Sequence, residues 1–354
     1  MLFLLHTHYS LSLLFIISLL TSPPCFPSLR LLKSPPPITK TITTKTYTIA
    51  DKGRHVIPGI SEIKKYFSRF GYLNLQNSTT LTGTFDTRFK SAIIRYQKNL
   101  GLRVTGKLDF DTLSQITTPR CGVPDSVQNH TWHYTEHYEY FRGKPRWARP
   151  MPMTLTYALS PENLINNLSL SDIKEAFKRA FSKWASVIPV SFVESEDYGY
   201  ADIRIGFYSG DHGDGEPFDG VLGVLAHSFS PESGRLHLDE AETWAVDFEK
   251  EKSEVAVDLE SVATHEIGHL LGLSHSRVKD AVMYPSLKPR DKKLELKLDD
   301  IKGVQALYGS NPNFTFGSLL ESDISANQGV DFRIGSLDLL ATLILSFLIH
   351  NLCM

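Results

Sequence analysis

The chain has 354 residues, 42% hydrophobic and 21% charged, with 37 basic residues against 39 acidic ones. At roughly 100 to 200 residues per domain, that length holds two folded units plus segments that do not persist in the mature protein. Collagen-like, disordered and polytopic membrane classes are excluded by the mixed composition and by the lack of any apolar run of about 18 residues, and the near-neutral charge argues against a nucleic-acid partner.

Leu2 to Leu5 and Leu11 to Leu20 are apolar and give way to Thr21-Ser22-Pro23-Pro24, the pattern of a secretory signal peptide over residues 1–25. No Lys or Arg precedes Arg30, so the charged start of such a signal is weak. A membrane anchor is the alternative, but about ten strongly apolar residues are too few to span a bilayer. Residues 26–56, rich in Pro, Ser and Thr, read as a flexible leader.

Ile60, Ile63, Phe67 and Phe70 recur at helical spacing, as do Phe89, Ile93, Tyr96 and Leu100, and then Leu108, Leu113 and Ile116. Three short helices make a small bundle within a propeptide expected over residues 57–137, with Gly71, Gly83 and Gly101 marking the connections. The stretch from Phe85 to Ile116 resembles peptidoglycan-binding-like modules. That resemblance leaves two meanings open, carbohydrate binding or a compact scaffold, and the scaffold is favoured. Pro119-Arg120-Cys121-Gly122-Val123-Pro124-Asp125 follows, and then an exposed spacer with His130, His133 and His137.

A second unit is expected over residues 138–310. Met153 to Ala158 alternates as a strand, Ile173 to Trp184 has the period of an amphipathic helix, and Val190 to Val193 and Ile203 to Phe207 read as strands. A Gly- and Asp-rich loop, Asp211 to Phe218, precedes strand pieces at Val224 to Phe229 and Arg235 to Leu238. Helices are expected through Val257 to Leu271 and through Leu298 to Leu307, the latter stopped by Gly309. The fold class is therefore α+β, a mixed sheet with helices packed on it.

The chemistry concentrates in Thr264-His265-Glu266-Ile267-Gly268-His269-Leu270-Leu271-Gly272-Leu273-Ser274-His275. Histidines four apart share one helix face, so His265 and His269 can meet a single ion. Gly272 permits the left-handed turn that ends the helix, after which His275 can supply a third imidazole. Three protein ligands leave the fourth zinc position open, as a catalytic site requires. Glu266 is placed to take a proton from water at that position and to pass it to a departing amine.

Ala281-Val282-Met283-Tyr284-Pro285 then supplies a Met-containing turn. With it the sequence resembles the matrix metalloproteinases, the matrixin branch of the metzincins, and most of all their plant members. The resemblance implies a catalytic domain with a twisted, mixed five-stranded sheet and three helices. It places Met283 beneath the zinc site as a packing floor and Pro285 to Leu287 as one wall of the substrate cleft. His212, Asp214, His227 and His237 match the family's structural zinc. The resemblance also implies calcium at Asp219, Asp239 and Glu242, assisted by carbonyls of Gly220, Leu222 and Val224. A further family calcium position would involve Asp202, but Pro231, Ser233 and Arg235 stand around it, and no cation is assigned there. Residues 119–125 match the family's cysteine switch: Cys121 would occupy the zinc position that water needs, with Arg120 and Asp125 paired to hold the loop. Asp300 resembles an acid that receives the new N-terminal ammonium after processing.

Substrates are expected to be extended peptides or proteins, pairing with Val221 to Ala226, including Leu225 and Ala226, as an edge strand. Ser261 is small, which predicts a pocket open to large apolar side chains beside Pro285. An activating protease or autolysis would cut between Asp125 and about Trp147, and a monomer is expected.

Residues 311–354 read as a linker and a GPI-attachment signal: Ser325-Ala326-Asn327, a spacer from Gln328 to Ser336, then apolar Leu337 to Ile349. Asp338 and His350-Asn351 depart from that pattern, and an apolar tail without a role is the alternative. The chain ends soon after Gly309, which leaves no room for a hemopexin-like domain. Sequons at Asn77, Asn129, Asn167 and Asn313 suit a secreted chain. On this scheme Cys25 and Cys353 are removed and Cys121 is the one thiol kept. A competing reading is a cell-wall carbohydrate-binding protein carrying an inert zinc domain.

Overall fold

The computed structural model describes residues 59–74, 83–125 and 137–315. The signal peptide, the leader, Asn77, Asn129, most of the spacer, the attachment signal, Cys25 and Cys353 lie outside the described residues.

The first three helices are α1 (Ile60–Arg69), α2 (Thr87–Asn99) and α3 (Phe110–Ile116). Asp86 and Asp109 start α2 and α3 by accepting the amides of Phe89 and Thr112 at 2.8 and 3.0 Å, as N-cap carboxylates do. Phe67, Phe89, Ile93 and Tyr96 are fully buried between the helices. The same apolar cluster takes in Phe218, Val224 and Tyr284 of the second unit, so the bundle is packed onto that unit.

The second unit runs β1 (Met153–Leu159), α4 (Leu170–Val187), β2 (Val190–Glu194), β3 (Ile203–Tyr208), β4 (Ala226–Ser228), β5 (Arg235–Asp239), β6 (Trp244–Ala245), β7 (Val257–Asp258), α5 (Leu259–Leu270) and α6 (Leu298–Tyr308). The main sheet has the order β2-β1-β3-β5-β4. It is parallel except at β4, which pairs antiparallel with β5 and places His227 opposite His237. That register brings two imidazoles together across the strands. The expected α+β architecture of five strands and three helices behind a three-helix bundle is observed. The short β6–β7 pairing was not expected, since two-residue strands carry no readable period.

Every residue of α5 is buried. A helix that presents no face to water must be held on all sides. Asp258 caps its first turn through the Ser261 amide at 2.9 Å, Trp184 of α4 donates to the Thr264 carbonyl at 2.9 Å, and Trp147 donates to the Leu270 carbonyl at 2.8 Å. Glu260 adds ion pairs with Arg179 and Lys183 of α4.

Candidate metal centre and active site

Helix α5 carries His265 and His269 on one face, and Gly272 ends it with φ of 102°. A Cβ at Gly272 would lie 2.2 Å from the Pro145 carbonyl oxygen, so the turn requires glycine both for its conformation and for space. The chain then returns His275 to the other two. His269 Nε2 lies 3.2 Å from His275 Nε2 and 3.4 Å from Cys121 Sγ. One ligating atom from each of Cys121, His265, His269 and His275 lies within 4.8 Å of the others.

Each imidazole is oriented through its second nitrogen. His265 Nδ1 donates to the Val282 carbonyl at 2.7 Å, His269 Nδ1 to the Leu273 carbonyl at 2.8 Å, and His275 Nδ1 to Asp125 Oδ1 at 2.7 Å. With Nδ1 spent as a donor, Nε2 keeps its lone pair, the tautomer a metal ligand needs. His265 Nε2 is a buried atom without a hydrogen-bond partner among the described residues. Burial lowers the pKa of all three imidazoles, so they are neutral. Three neutral imidazoles beside a thiol are a donor set suited to zinc.

Glu266 is fully buried beside this set, and burial pushes its carboxyl up to about 7. The same burial, together with the Glu266 charge, raises the Cys121 thiol well above its usual value. Met283 packs under α5. A Cβ at Gly268 would lie 2.2 Å from Met283 Sδ and 3.0 Å from Trp184, a constraint the sequence did not reveal. Gly268→Ala is therefore expected to destabilise the protein by about 1–3 kcal/mol through overpacking, despite a helix-propensity gain of about 1 kcal/mol. Thermal denaturation checks this, and an unchanged or raised Tm would contradict it.

Asp300 does not serve as an open acceptor. It is fully buried, and its carboxylate takes the amides of Val282, Met283 and Lys297 at 2.9, 3.0 and 2.8 Å. It pins the Met-containing turn, which corrects the expectation that it receives an N-terminal ammonium.

The Cys121 segment lies in the cleft as an added strand. On one side Arg120 N donates to the Gly223 carbonyl, Leu225 N to the Arg120 carbonyl and Gly122 N to the Ala226 carbonyl, at 3.0, 2.9 and 2.7 Å. On the other side Cys121 N donates to the Pro285 carbonyl and Leu287 N to the Pro119 carbonyl, at 2.9 and 3.1 Å. Regular strand structure on this edge covers only Ala226–Ser228, but the residues expected to pair with an extended peptide, up to Ala226, do present their main chain.

Arg120 and Asp125 form a buried ion pair at 2.7 Å. Burial alone would raise the Asp125 carboxyl, but Arg120 and His275 hold it well below the usual range. The bundle closes around this pair. Tyr72 donates to Asp125 Oδ2 at 2.6 Å, and the Phe70 ring centroid lies 3.7 Å from the Arg120 guanidinium carbon. Sequence reasoning missed both aromatic residues, because apolar spacing reports burial but not what a ring covers. Asp125 therefore links the bundle, the Cys121 loop and the third histidine.

A pocket beside His265 and Glu266 is lined by Leu225, Ser261, Tyr284 and Pro285, with Cys121 at its mouth. The Ser261 hydroxyl is turned to Asp258 and to the Lys293 amide, at 2.6 and 2.8 Å. Lys293 also lines the pocket, a contact not foreseen, and burial pushes its ammonium down to about 8.

In the second set, His212 Nε2, His227 Nε2 and His237 Nδ1 lie 2.9, 2.8 and 2.8 Å from the same Asp214 oxygen. Burial pushes His227 and His237 down to about 4. Burial would raise the Asp214 carboxyl, but the Glu216 amide and these histidines hold it low. Asp239 and Glu242 are buried near the loop of residues 219–224, where Gly220 N, Leu222 N and Val224 N donate to Asp239, Glu242 and Asp219 at 3.1, 2.7 and 2.7 Å. Burial pushes the Glu242 carboxyl up to about 7, and the neighbouring Asp239 and Asp219 charges add to the rise. Asp202 takes the Arg149 guanidinium and the Thr156 amide.

From His137 onward the spacer is not free. Arg277 pairs with Glu139 at 2.8 Å, and Tyr140 donates to the Gly303 carbonyl at 2.9 Å. Arg142, Gly143, Lys144 and Arg146 nevertheless stay exposed, within the stretch expected to be cut before about Trp147.

The family profile described as Matrixin matches residues 146–309, and one described as a putative peptidoglycan binding domain matches residues 58–116. Metalloendoproteinase 4-MMP of Arabidopsis thaliana is 63% identical over 279 residues, covering 78% of this chain and 80% of its own. Metalloendoproteinase 1-MMP of the same plant is 57% identical, covering 78% and 76%. Interstitial collagenase of Oryctolagus cuniculus is 41% identical, covering 61% of this chain and 42% of its own.

Proposed function

The chain belongs to the matrixin family and is a zinc metalloendopeptidase, and from that premise we propose that it is a secreted zymogen restrained by its own Cys121. The observation that carries the proposal is the convergence of three neutral imidazoles and a thiol, beside the buried Glu266 carboxylate, under a segment that fills the cleft as a strand.

His265, His269 and His275 would hold the catalytic zinc. Bound there, zinc lowers the pKa of water from about 16 toward 7 and polarises the scissile carbonyl. An extended substrate would take over the main-chain partners that residues 119–122 now use, which places one peptide bond next to Glu266. Glu266 removes a proton from the attacking water and returns it to the departing amine. In the zymogen Cys121 Sγ stands where that water belongs, and the Arg120–Asp125 pair, gripped by Phe70 and Tyr72, holds it there. Activation follows proteolytic or autolytic cutting, or displacement of the thiol. His212, Asp214, His227 and His237 would hold a structural zinc, since three imidazoles and a carboxylate leave no open position.

Calcium at Asp219, Asp239 and Glu242 is supported by a buried Glu242 oxygen that has no hydrogen-bond partner among the described residues and by the hard-oxygen chemistry of the set. Calcium at about one hundred times its dissociation constant should stabilise the domain by about 2.7 kcal/mol, a rise of several degrees in Tm. Calorimetry with calcium and with a calcium-selective chelator measures this, and identical melting curves would sink the assignment.

Secretion through residues 1–25 and a GPI anchor from residues 311–354 complete the proposal. No helix among the described residues is long and apolar enough to cross a membrane. Cleavage of an extended-peptide library by the activated enzyme tests the reading. Cutting of internal bonds with large apolar residues following the cut is expected; a preference for Gly or Ala there would overturn the pocket assignment, and no chelator-sensitive cutting would overturn the function.

A further inference from the structure

Side chains alternate along β4. His227 faces the Asp214 set, so Ser228 faces the other side of the strand, where α5 packs. Ser228 is 5% exposed, and its hydroxyl has no hydrogen-bond partner among the described residues. Both carboxylate oxygens of Glu266 are in the same condition. The two groups are neighbours: β4 packs against α5, and the rise that burial gives the Glu266 carboxyl is offset by the nearby Cys121 and Ser228 side chains. In the latent arrangement the thiol stands against the carboxylate, and the hydroxyl is not yet in full hydrogen-bond geometry with it. Folded proteins rarely keep a buried hydroxyl without an acceptor, and the acceptor within reach is Glu266.

We infer that Ser228 is a positioning residue for the reaction: once Cys121 leaves, its hydroxyl donates to one oxygen of Glu266 and fixes the carboxylate so that the other oxygen faces the attacking water. The inference rests on Glu266 being the base. Ser228 touches neither substrate nor metal ligand in this role. It acts by removing the rotation of a carboxylate whose oxygens have no hydrogen-bond partner among the described residues. The position is set by strand register, since Ser228 follows the histidine that β4 contributes opposite His237. A side chain without a hydroxyl there would leave Glu266 held by packing alone.

The test uses the full chain, activated by thiol modification, with Ser228→Ala, Ser228→Thr and Glu266→Ala compared at equal zinc content. A hydrogen bond to a charged group supports an expected fall in kcat of about tenfold for Ser228→Ala with KM unchanged, and recovery of most of that loss in Ser228→Thr, which restores the donor. A kcat for Ser228→Ala within about twofold of the parent, or a loss that falls in KM, overturns the inference. Activity retained in Glu266→Ala would instead remove the premise, whereas an inactive Glu266→Ala beside an unimpaired Ser228→Ala sinks the inference alone.

Discussion

Replacing Glu266 by alanine in the activated enzyme is expected to lower kcat by at least about 10²–10⁴-fold, the range that a positioned acid–base group supplies, while zinc content stays unchanged. The two halves of that outcome have separate physical causes. The metal set does not depend on Glu266, because its imidazoles are oriented by the carbonyls of Val282 and Leu273 and by Asp125. The proton transfers do depend on it. Among the described residues the convergent set itself contains no carboxylate, Glu266 lines the pocket beside it, and Asp125 is committed to Arg120 and His275. Stability should change little, since alanine favours the helix and no ion pair is broken. Measured hydrolysis close to the parent rate would remove Glu266 from the mechanism.

The second large effect concerns restraint. Full-length Cys121→Ser should hydrolyse a short peptide without prior cutting and should not respond to a thiol reagent. A serine hydroxyl keeps the shape of the loop but is a far poorer zinc ligand than a thiolate. What then holds residues 119–122 in the cleft is five main-chain hydrogen bonds and the Arg120–Asp125 pair. Each such bond contributes roughly 0.5–1.5 kcal/mol net, and a peptide substrate offers the same groups in exchange. The variant should therefore reach an appreciable fraction of the activated rate and rise further on cleavage. A Cys121→Ser protein as silent as the parent would show that steric occupation alone enforces latency.

Much of this organisation was legible in the sequence because the strongest signals were chemical or periodic. The His265, His269 and His275 spacing works only on a helix that ends at Gly272, and that geometry is observed. The elements of the second unit fell within a few residues of their expected ends, since residues 153–157 and 203–205 alternate and Leu170–Val187 has one apolar face. What stayed hidden depends on contacts far apart in the chain. Phe70 read as an ordinary core position and Tyr72 carried no reading, yet they grip Arg120 and Asp125 about fifty residues away. Asp300 looked available because nothing local shows that the Met-containing turn consumes its oxygens. The tight packing of Gly268 against Met283 joins two segments fifteen residues apart and leaves no local signal. Ser228 carried no sequence signal at all. Its meaning comes from strand direction and from unpartnered atoms on two different elements.

Thiol modification of the purified full-length zymogen shows whether Cys121 fills the fourth ligand position at the catalytic zinc. Peptide hydrolysis should be absent before treatment with an organomercurial and present after it. A zinc chelator should abolish the new activity and added zinc should restore it. Full activity of the untreated zymogen, or activity after treatment that survives the chelator, would contradict the account.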